Sequence, residues 1–331
     1  MSPSDAAAGD GAALEGFCVV DKPSGLTSHK LLASMKRSLG SKAKLGHAGT
    51  LDSFASGVLI TLFGRYTRLS DYFMSAGKGY EAVVRFGAET DTLDPDGTVV
   101  AEGPLPTREA LERALPIFRG AIMQAPPAYS AVHVDGERAY ERALRGEDVA
   151  MKARPVTIST LDLLSFDGAE ASLRIACSKG TYIRSLARDL ALACGSRGHL
   201  VALRRTFSGP FRAEDAIAPA AVGAASMRRL DEALARGLGL AAVRLGAEAA
   251  RNFARGMPLY KIEEFKAAAK AATLQAAEAA ADPAPLAAFG QDGALLGIVR
   301  RDGARRDGAR RDGARRDGGA WRYAFVLEGS A

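Results

Sequence analysis

The sequence contains few of the residues that build disulfide frameworks and metal clusters. It has three cysteines and four histidines among 331 residues. Cys18, Cys177 and Cys194 lie far apart, and neither a Cys-x-x-Cys nor a His-x-x-x-His spacing occurs. This usage excludes a disulfide scaffold and indicates small core residues in a reducing compartment. It also gives no pattern for a metal site, so we expect none.

Long apolar runs are missing as well. No segment approaches the roughly 18 consecutive apolar residues that a transmembrane helix requires. The first fifteen residues, MSPSDAAAGDGAALE, contain acids and no basic region before an apolar run, which predicts a disordered tail over residues 1–15 rather than a secretion signal. We therefore expect a cytoplasmic protein with no membrane partner.

A general excess of positive charge is also absent from the main body of the chain. The net charge is +6, but nine arginines and four aspartates between Arg300 and Arg322 contribute +5 of it. The remainder is close to neutral, so bulk charge does not by itself indicate a nucleic acid partner. Local basic clusters would have to carry that inference.

The composition changes near residue 240, which with the chain length predicts a larger domain over residues 16–240 and a smaller one over residues 241–331. The second part holds an alanine-rich stretch, AAAKAATLQAAEAAADPAPL, and two strand-like pieces, ALLGIVR and WRYAFVL. Between those pieces, at residues 300–319, lies a strict five-residue repeat of RRDGA. No packed repeat architecture has this period without larger apolar residues, so we interpret it as a disordered, solvated hairpin loop. Binding of RNA phosphates by the repeat is the less favoured alternative.

Residues 16–240 contain clear signals for both strands and helices. The segments GFCVVDK, GVLITLF and KGYEAVVRFG are predicted strands, the last with Tyr80, Ala82, Val84 and Phe86 on one face. The segment RPVTISTLDLLSFDGAEASLRIACS predicts two strands joined by a turn, and GHAGTLDSFAS predicts a loop before GVLITLF.

Three segments predict helices. SHKLLASMKRSLG has Ser28 as its expected N-cap, and PTREALERALPIF has Thr107. In GTYIRSLARDLALACG the inward positions are Ile183, Leu186, Leu190 and Leu192. Strands and helices do not alternate regularly, so the predicted class is α+β with a mostly antiparallel sheet.

The stretch GHAGTLDSFASGVL, residues 46–59, raises the question of function because it places Asp52 in a turn rich in glycine. Taken alone, Asp52 is most simply an Asx turn or a cap, and His47 a residue that satisfies the turn. A phosphate-binding loop is excluded, since GSKAKLGHA has no Lys-Ser or Lys-Thr after its second glycine.

Three distant residues give Asp52 a chemical context. Tyr182 and Arg184 lie two positions apart at the start of a predicted helix, where an arginine can form a bidentate pair with a carboxylate. Tyr80 is an aromatic residue on a strand face and can stack on a flat ring. Separately, Tyr80 could be a core residue and Arg184 a surface charge. Those ordinary interpretations do not explain the combination.

Read together, these motifs resemble those of the TruB family, the tRNA pseudouridine-55 synthases. DKPSGLTSH matches the opening motif of that family, and GHAGTLDSFASGVL matches its catalytic motif, with the aspartate at Asp52. Four further blocks follow in family order, and the match spans roughly residues 16 to 212: KGYEAVVRFGAETDTLDPDG, PPAYSAVHVDGERAYERALRGE, CSKGTYIRSLARDL and HLVALRRTFSGPF. The resemblance implies a pseudouridine synthase fold, with a central mostly antiparallel sheet flanked by helices. It also implies a small C-terminal β-rich domain similar to the PUA module, made atypical here by the repeat.

The resemblance further implies an isomerase that flips the T-loop uridine of tRNA, at position 55, out of its stack and converts it to pseudouridine. No cofactor, metal or obligate protein partner is implied, and a monomer is expected. Asp52 would be the essential carboxylate, acting as nucleophile or as base. Arg184 would pair with it, Tyr182 would assist removal of the C5 proton, and Tyr80 would stack on the uracil.

Contacts to the T-arm of tRNA are implied as well. His47 would help hold the rearranged loop, and the glycines around it would let RNA approach the backbone. Leu200 would line the uracil pocket, with a plain core position as the alternative. Candidate phosphate contacts, each with a solvated helix end as the alternative, are Lys22, Lys36, Arg37, Lys42 and Lys44.

Three residues depart from the pattern of the family: Ala48 stands in place of the common threonine, Ser53 in place of proline, and His133 in place of lysine. Ser53 should loosen the turn after Asp52, because proline fixes φ. His133 should weaken a backbone contact to RNA.

Two alternatives to a stand-alone enzyme stay open. One is an RNA-binding or tRNA-folding module in which catalysis is secondary or lost. The other is the guide-RNA-dependent relative of archaea and eukaryotes, which is less favoured because that family has longer accessory regions and a fuller PUA domain.

Overall fold

The computed structural model describes residues 14–130, 132–134, 136–147, 149–278, 282–301 and 321–327. The strands are β1 (Gly16–Lys22), β2 (Leu45–Ala48), β3 (Ser56–Phe63), β4 (Lys78–Phe86), β5 (Ala88–Thr90), β6 (Val99–Glu102), β7 (Gly120–Gln124), β8 (His133–Val134), β9 (Glu137–Arg138), β10 (Arg154–Phe166), β11 (Glu170–Cys177), β12 (Gly198–Ser208), β13 (Phe211–Arg212), β14 (Ala241–Arg244), β15 (Leu286–Phe289), β16 (Leu295–Arg301) and β17 (Trp321–Val326). The helices are α1 (Ser28–Ser38), α2 (Ser70–Ser75), α3 (Arg108–Ala114), α4 (Ala139–Leu144), α5 (Ile183–Ala193), α6 (Glu232–Gly237), α7 (Ala247–Ala254) and α8 (Glu263–Glu278). Most of the predicted N-terminal tail and nearly all of the RRDGA repeat lie outside the described residues.

The main sheet has the strand order β1-β3-β12-β4-β11-β10-β7, with β2 added beside β3 and β13 beside β12. All of these neighbours pair antiparallel except β3 and β12, which are parallel. The class is therefore α+β with a mostly antiparallel sheet, as predicted. Chain segments that are far apart in sequence, β3, β4 and β12, lie side by side at its centre.

Both faces of the sheet are covered near β1 and β3, which explains their nearly continuous apolar sequences. Cys18 and Val20 belong to the core on one side, whereas Phe17 and Val19 belong to the core on the other. The predicted face of β4, Tyr80 with its alternating neighbours, is buried in the first of these cores together with α5. This period of two places Tyr80 on the helix-covered face of the sheet.

Helix α1 begins at Ser28, so its cap lies one residue earlier than expected. Thr27 is the N-cap, and its hydroxyl accepts a hydrogen bond from Lys30 N at 3.1 Å. The prediction of Ser28 as cap was wrong, because the Ser28 hydroxyl is buried and bonds Leu51 instead. The predicted cap of α3 is confirmed: Thr107 accepts from Ala110 N at 3.2 Å.

Two other local predictions need correction. Leu192 was expected to point inward on α5, but it is 44% exposed near the end of the helix. The loop expected before β3 contains the short strand β2, which pairs with β3 from Leu45 opposite Phe63 to Ala48 opposite Ile60. That pairing supports the segment that precedes Asp52.

A second sheet, in the order β14-β15-β16-β17, begins at Ala241. Its strands β16 and β17 are the two strand-like pieces of the sequence analysis. The alanine-rich stretch, for which no element was predicted, forms much of α8, and α7 and α8 connect the parallel pair β14 and β15. Ala287 and Phe289 pack into the core that also contains Phe17, so this sheet is joined to the main sheet by a continuous apolar contact.

Candidate active site

Asp52 lies in the loop between β2 and β3, and the segment after β1 holds this loop by its backbone. Ser28 Oγ donates to Leu51 O at 3.1 Å and accepts from Leu51 N at 3.0 Å. Gly25 N donates to Ser53 O at 2.8 Å. The residues before and after Asp52 are therefore both fixed by the DKPSGLTSH segment, which explains locally why the two motifs occur together.

Lys22 also belongs to this support. Its side chain is fully buried, and Nζ donates to Pro23 O at 2.9 Å, Ser53 O at 3.4 Å and Ala55 O at 2.6 Å. Burial lowers the pKa of Lys22 to about 8, against a smaller raising effect of the Asp52 charge. The prediction of a phosphate contact is corrected here, because all three ammonium hydrogens already have carbonyl acceptors.

The predicted pair of Asp52 and Arg184 is present. Arg184 Nη2 donates to Asp52 Oδ1 at 3.2 Å, and Arg184 Nε makes an ion-pair contact with Oδ2 at 3.0 Å that lacks hydrogen-bond geometry. Arg184 is 8% exposed, whereas Asp52 is 36% exposed. The arginine is thus held within the protein while the carboxylate keeps an open side toward solvent, where a substrate can approach.

Arg184 has three further partners that sequence reasoning did not identify. Nη1 donates to Thr92 O at 2.8 Å and to Asp94 Oδ2 at 3.3 Å, and Nη2 donates to Tyr129 O at 3.0 Å. Asp94 is 6% exposed, and burial is the main cause that raises its pKa. The available signal was ETDTLDPDG, which has four acidic residues and no basic one, and therefore predicts a cation from elsewhere in the chain.

Tyr182 is placed at the start of α5 by an amide that was also missed. Gln124 Oε1 accepts from Tyr182 N at 2.8 Å, and Gln124 Nε2 donates to Tyr182 O at 3.1 Å. The pKa of the Tyr182 phenol is raised, first by burial and also by the Asp52 charge, while Ser130 and Arg184 lower it. The phenol therefore lies within electrostatic reach of Asp52 and stays protonated at neutral pH.

Tyr80 is 8% exposed and lies next to a buried arginine. Arg205 is opposite Tyr80 in the pairing of β12 with β4, and it is 1% exposed. Its Nε donates to Val58 O at 2.6 Å, and Nη2 donates to Gly49 O at 3.0 Å. The pKa of Tyr80 is raised chiefly by burial and slightly by Asp52, and is lowered by the charge of Arg205 and a hydrogen bond from it.

The burial of Arg205 has a simple signal in the sequence. Successive strand residues face opposite sides, so one of two adjacent arginines in a central strand must face the core. Arg204 faces the other way and pairs with Asp21, at 3.0 and 2.9 Å. Arg205 therefore connects the loop that carries Asp52 with the strand that carries Tyr80.

Contacts within the protein explain two of the glycines near Asp52, Gly49 in the loop and Gly57 in β3. Gly57 has φ +101°, and a Cβ atom there would lie 2.2 Å from Arg205 O, where β12 runs beside β3. Gly49 has φ +89° and lies against the Arg205 guanidinium. At these two positions the absence of a side chain allows backbone geometry and close strand packing. Approach of RNA, the reason we expected, is not needed to explain them.

The remaining predicted contacts fall into two groups. Lys42 and Lys44 are exposed, as are Lys36 and Arg37 in the last turn of α1. His47 is half-buried on β2, its pKa is lowered mainly by burial, and among the described residues its Nδ1 has no hydrogen-bond partner.

Leu200 is fully buried in the core and lies opposite Val84. This is the core position that the sequence analysis kept as the alternative to a pocket wall. Leu203 lies opposite Ala82 and so is closer along the strand to Tyr80. Leu203 is therefore the better candidate for a pocket wall.

Two other kinds of feature are absent from the described ranges. No group of three or more His, Cys, Asp or Glu side chains there is placed to hold a metal ion. No helix within those ranges has the length and apolar character needed to cross a bilayer.

Solved structures with a similar fold include chains from two larger assemblies. A chain from a Cbf5-Nop10-Gar1 complex superposes with a TM-score of 0.60 at 23% identity, covering 86% of this chain and 78% of that one. A chain from an H/ACA RNP bound to a substrate RNA gives a TM-score of 0.59 at 21% identity, covering 86% and 77%. At these identities the similarity establishes the fold alone.

Sequence comparison is more specific. Two family models match in succession: TruB family pseudouridylate synthase (N terminal domain) at residues 36–183, and tRNA pseudouridylate synthase B C-terminal domain at residues 184–239. Proteins called tRNA pseudouridine synthase B are 47% identical in Borreliella burgdorferi (60% of this chain, 72% of the relative) and 49% identical in Azoarcus sp. (62% and 68%). A third, from Cereibacter sphaeroides, is 45% identical over 70% of this chain and 76% of its own. Together with the fold and the Asp52–Arg184 site, these matches show that the chain belongs to the TruB family of pseudouridylate synthases.

Proposed function

We propose that this protein isomerises the T-loop uridine of tRNA, at position 55, to pseudouridine and that Asp52 is its essential carboxylate. The observation that carries the proposal is the contact between a part-exposed Asp52 and a buried Arg184, with Tyr80 and Tyr182 within electrostatic reach. The names of the related proteins, tRNA pseudouridine synthase B, supply the substrate class.

The reaction breaks the C1′–N1 glycosidic bond of uridine and forms a C1′–C5 bond to the same base. The C5 proton leaves, and N1 ends with a proton, so the product is an isomer of the substrate. No electron is gained or lost, and no redox partner is required. The chemical needs are a carboxylate that reacts with the ribose or the uracil, and groups that hold the detached base while it turns.

Each residue has a role consistent with its environment. Asp52 attacks the ribose or the uracil, or acts as a base; the geometry is compatible with each of these. Arg184 supplies positive charge beside it from a buried position. Tyr182 lies beside the uracil and assists loss of the C5 proton through its hydroxyl, and Tyr80 contacts the ring of the base.

RNA is held by the exposed basic residues near α1 and β2. Lys36, Arg37, Lys42 and Lys44 are solvent-exposed and lie on the chain segment that leads into the Asp52 loop. Phosphate contacts by such residues weaken as salt rises, because bound cations are released from the RNA. His47, on the same segment, faces the T-loop after the target uridine has been flipped outward.

The test is Asp52→Asn, with Asp162→Asn at an exposed position of β10 as the control. We expect Asp52→Asn to abolish conversion of a T-arm transcript while its affinity for that RNA is retained. Base-resolution mapping of pseudouridine in tRNA incubated with the wild-type protein, without guide RNA or partner proteins, checks the position. Conversion by the Asp52→Asn variant would disprove the role of Asp52. Binding without any conversion by the wild type would instead favour the RNA-folding module.

A further inference from the structure

Ser53, the residue after Asp52, makes a contact that the sequence analysis did not anticipate. Its Oγ donates to Asp96 Oδ2 at 2.7 Å. We had expected serine to loosen the turn, relative to proline, because it leaves φ free. The hydroxyl instead ties the turn to the loop between β5 and β6, which lies 43 residues away in sequence.

This contact closes a ring of interactions around the proposed catalytic carboxylate. Asp52 contacts Arg184, and Arg184 Nη1 donates to Asp94 Oδ2 at 3.3 Å. Asp94 Oδ1 accepts from Asp96 N at 3.1 Å, and Asp96 Oδ2 accepts from Ser53. The peptide bond between Ser53 and Asp52 completes the ring. The carboxylate of Asp52, through Arg184, and its backbone, through Ser53, are therefore both connected to the loop between β5 and β6.

That loop is a firm anchor because it is held by its own bonds. Asp91 N donates to Thr98 O at 3.0 Å, and Asp91 Oδ1 accepts from Thr98 N at 2.9 Å. Leu93 adopts φ +62°, which a leucine rarely does unless its surroundings impose it. A residue that is hydrogen-bonded to this loop is therefore held in a defined position. Without that bond, the turn that carries Asp52 could move, and the carboxylate could shift relative to Arg184.

We propose that Ser53 and Asp96 are positioning residues whose hydrogen bond closes this ring and holds the Asp52 carboxylate in its reactive orientation. The inference rests on the proposed role of Asp52. Neither residue touches the substrate in this account, so their loss slows the chemical step without changing RNA affinity.

The test is a double-mutant cycle of Ser53→Ala and Asp96→Ala, measured as single-turnover rates with a T-arm RNA at saturating enzyme. A single hydrogen bond contributes about 0.5–1.5 kcal/mol, so each variant should be about 2- to 13-fold slower than the wild type. The double variant should be no slower than the worse single variant, because both changes break the same bond. Dissociation constants for the RNA should stay within about 2-fold.

Two further variants separate positioning from general damage. Ser53→Thr keeps a hydroxyl and should restore most of the rate. Ser159→Ala removes a comparable exposed hydroxyl on β10, which donates to Ala176 O at 3.1 Å, and should leave the rate unchanged. A wild-type rate in Ser53→Ala would overturn the proposed positioning role. So would a double variant whose loss in rate is the product of the two single losses. A wild-type protein with no activity on the RNA would count against the proposed function instead.

Discussion

Arg184 meets Asp52 along the side of its guanidinium, with Nε 3.0 Å from Oδ2 and Nη2 3.2 Å from Oδ1, although the two residues are 132 positions apart. The other edge of the guanidinium is held by Thr92 O and Asp94. A planar group with several donors is needed to satisfy both edges at once. The specificity of this arrangement for arginine gives the first prediction.

Arg184→Lys should lose most of the activity, by about 100-fold or more in the single-turnover rate, because one ammonium group cannot bridge Asp52, Asp94 and two carbonyls. Arg188→Lys, on the same helix and paired with its neighbour Asp189, is the matched control and should be nearly as active as the wild type. Circular dichroism checks that both variants are folded. Near-normal turnover of Arg184→Lys would remove the ion pair from the mechanism.

Lys78 gives a prediction about pH and stability. Its side chain is 7% exposed, Nζ donates to Met74 O and Ala76 O, and burial lowers its pKa from 10.5 to about 8. Between pH 8 and 10.5 the native state binds fewer protons at Lys78 than the unfolded state does. The free energy of unfolding contributed by this residue should therefore rise with pH across that window, by up to about 1.4 kcal/mol per pH unit, and be flat below it.

The measurement is urea unfolding of the wild type and Lys78→Met at pH 7.5 and 9.5. The free energy of unfolding of the wild type minus that of Lys78→Met should be more positive at pH 9.5 than at pH 7.5. Contributions from all other groups cancel in this difference. Lys30→Met, at an exposed position of α1, is the control variant. An equal difference at the two pH values would contradict the lowered pKa of Lys78.

The solvated-loop interpretation of the repeat can be tested by deletion, because the residues on either side of the deleted segment are paired with each other. Arg301 lies opposite Trp321 in the pairing of β16 with β17, so the chain ends are separated by one strand spacing. Deleting residues 302–318 leaves Gly319-Ala320 as a two-residue connection with glycine first, which suits a tight hairpin turn. We expect turnover to be nearly unchanged and the salt dependence of RNA binding to become slightly flatter.

Thermal unfolding and RNA binding at two salt concentrations check the deletion. A protein that no longer folds would contradict the interpretation of the repeat as a solvated loop. A large loss of affinity, with the fold intact, would instead support the alternative in which the repeat binds RNA phosphates.

The local structure was largely predictable from short-range patterns. The alternation around Tyr80 gave the buried face of β4, and the cap at Thr107 gave the start of α3. The errors at Ser28 and Leu192 have a common reason. A serine before a helix can cap the helix or bond a distant backbone group. An apolar residue in the last turn of a helix can pack into the protein core or extend past it. In both cases the tertiary neighbours decide which occurs.

The site residues divide in the same way. Asp52 and Arg184 could be named in advance because the motifs that hold them resemble those of the TruB family, and because the ordinary interpretations of the separate residues do not explain their combination. Lys22 was assigned to RNA because its sequence does not show that three carbonyls surround it. Asp94, Gln124, Arg205 and Asp96 were missed for a related reason, since each acts through a partner more than 40 positions away.

The sequence by itself determined the family, the α+β class, the catalytic carboxylate proposed here and the residue types around it. These can be inferred from motifs and periodicities that lie within short stretches of the chain. Only the tertiary structure decided which side chains are buried, which carbonyls they bond, and that Ser53 returns through Asp96 to Asp52. Burial and hydrogen bonding are properties of residues brought together from distant positions, and side-chain identity alone leaves them open.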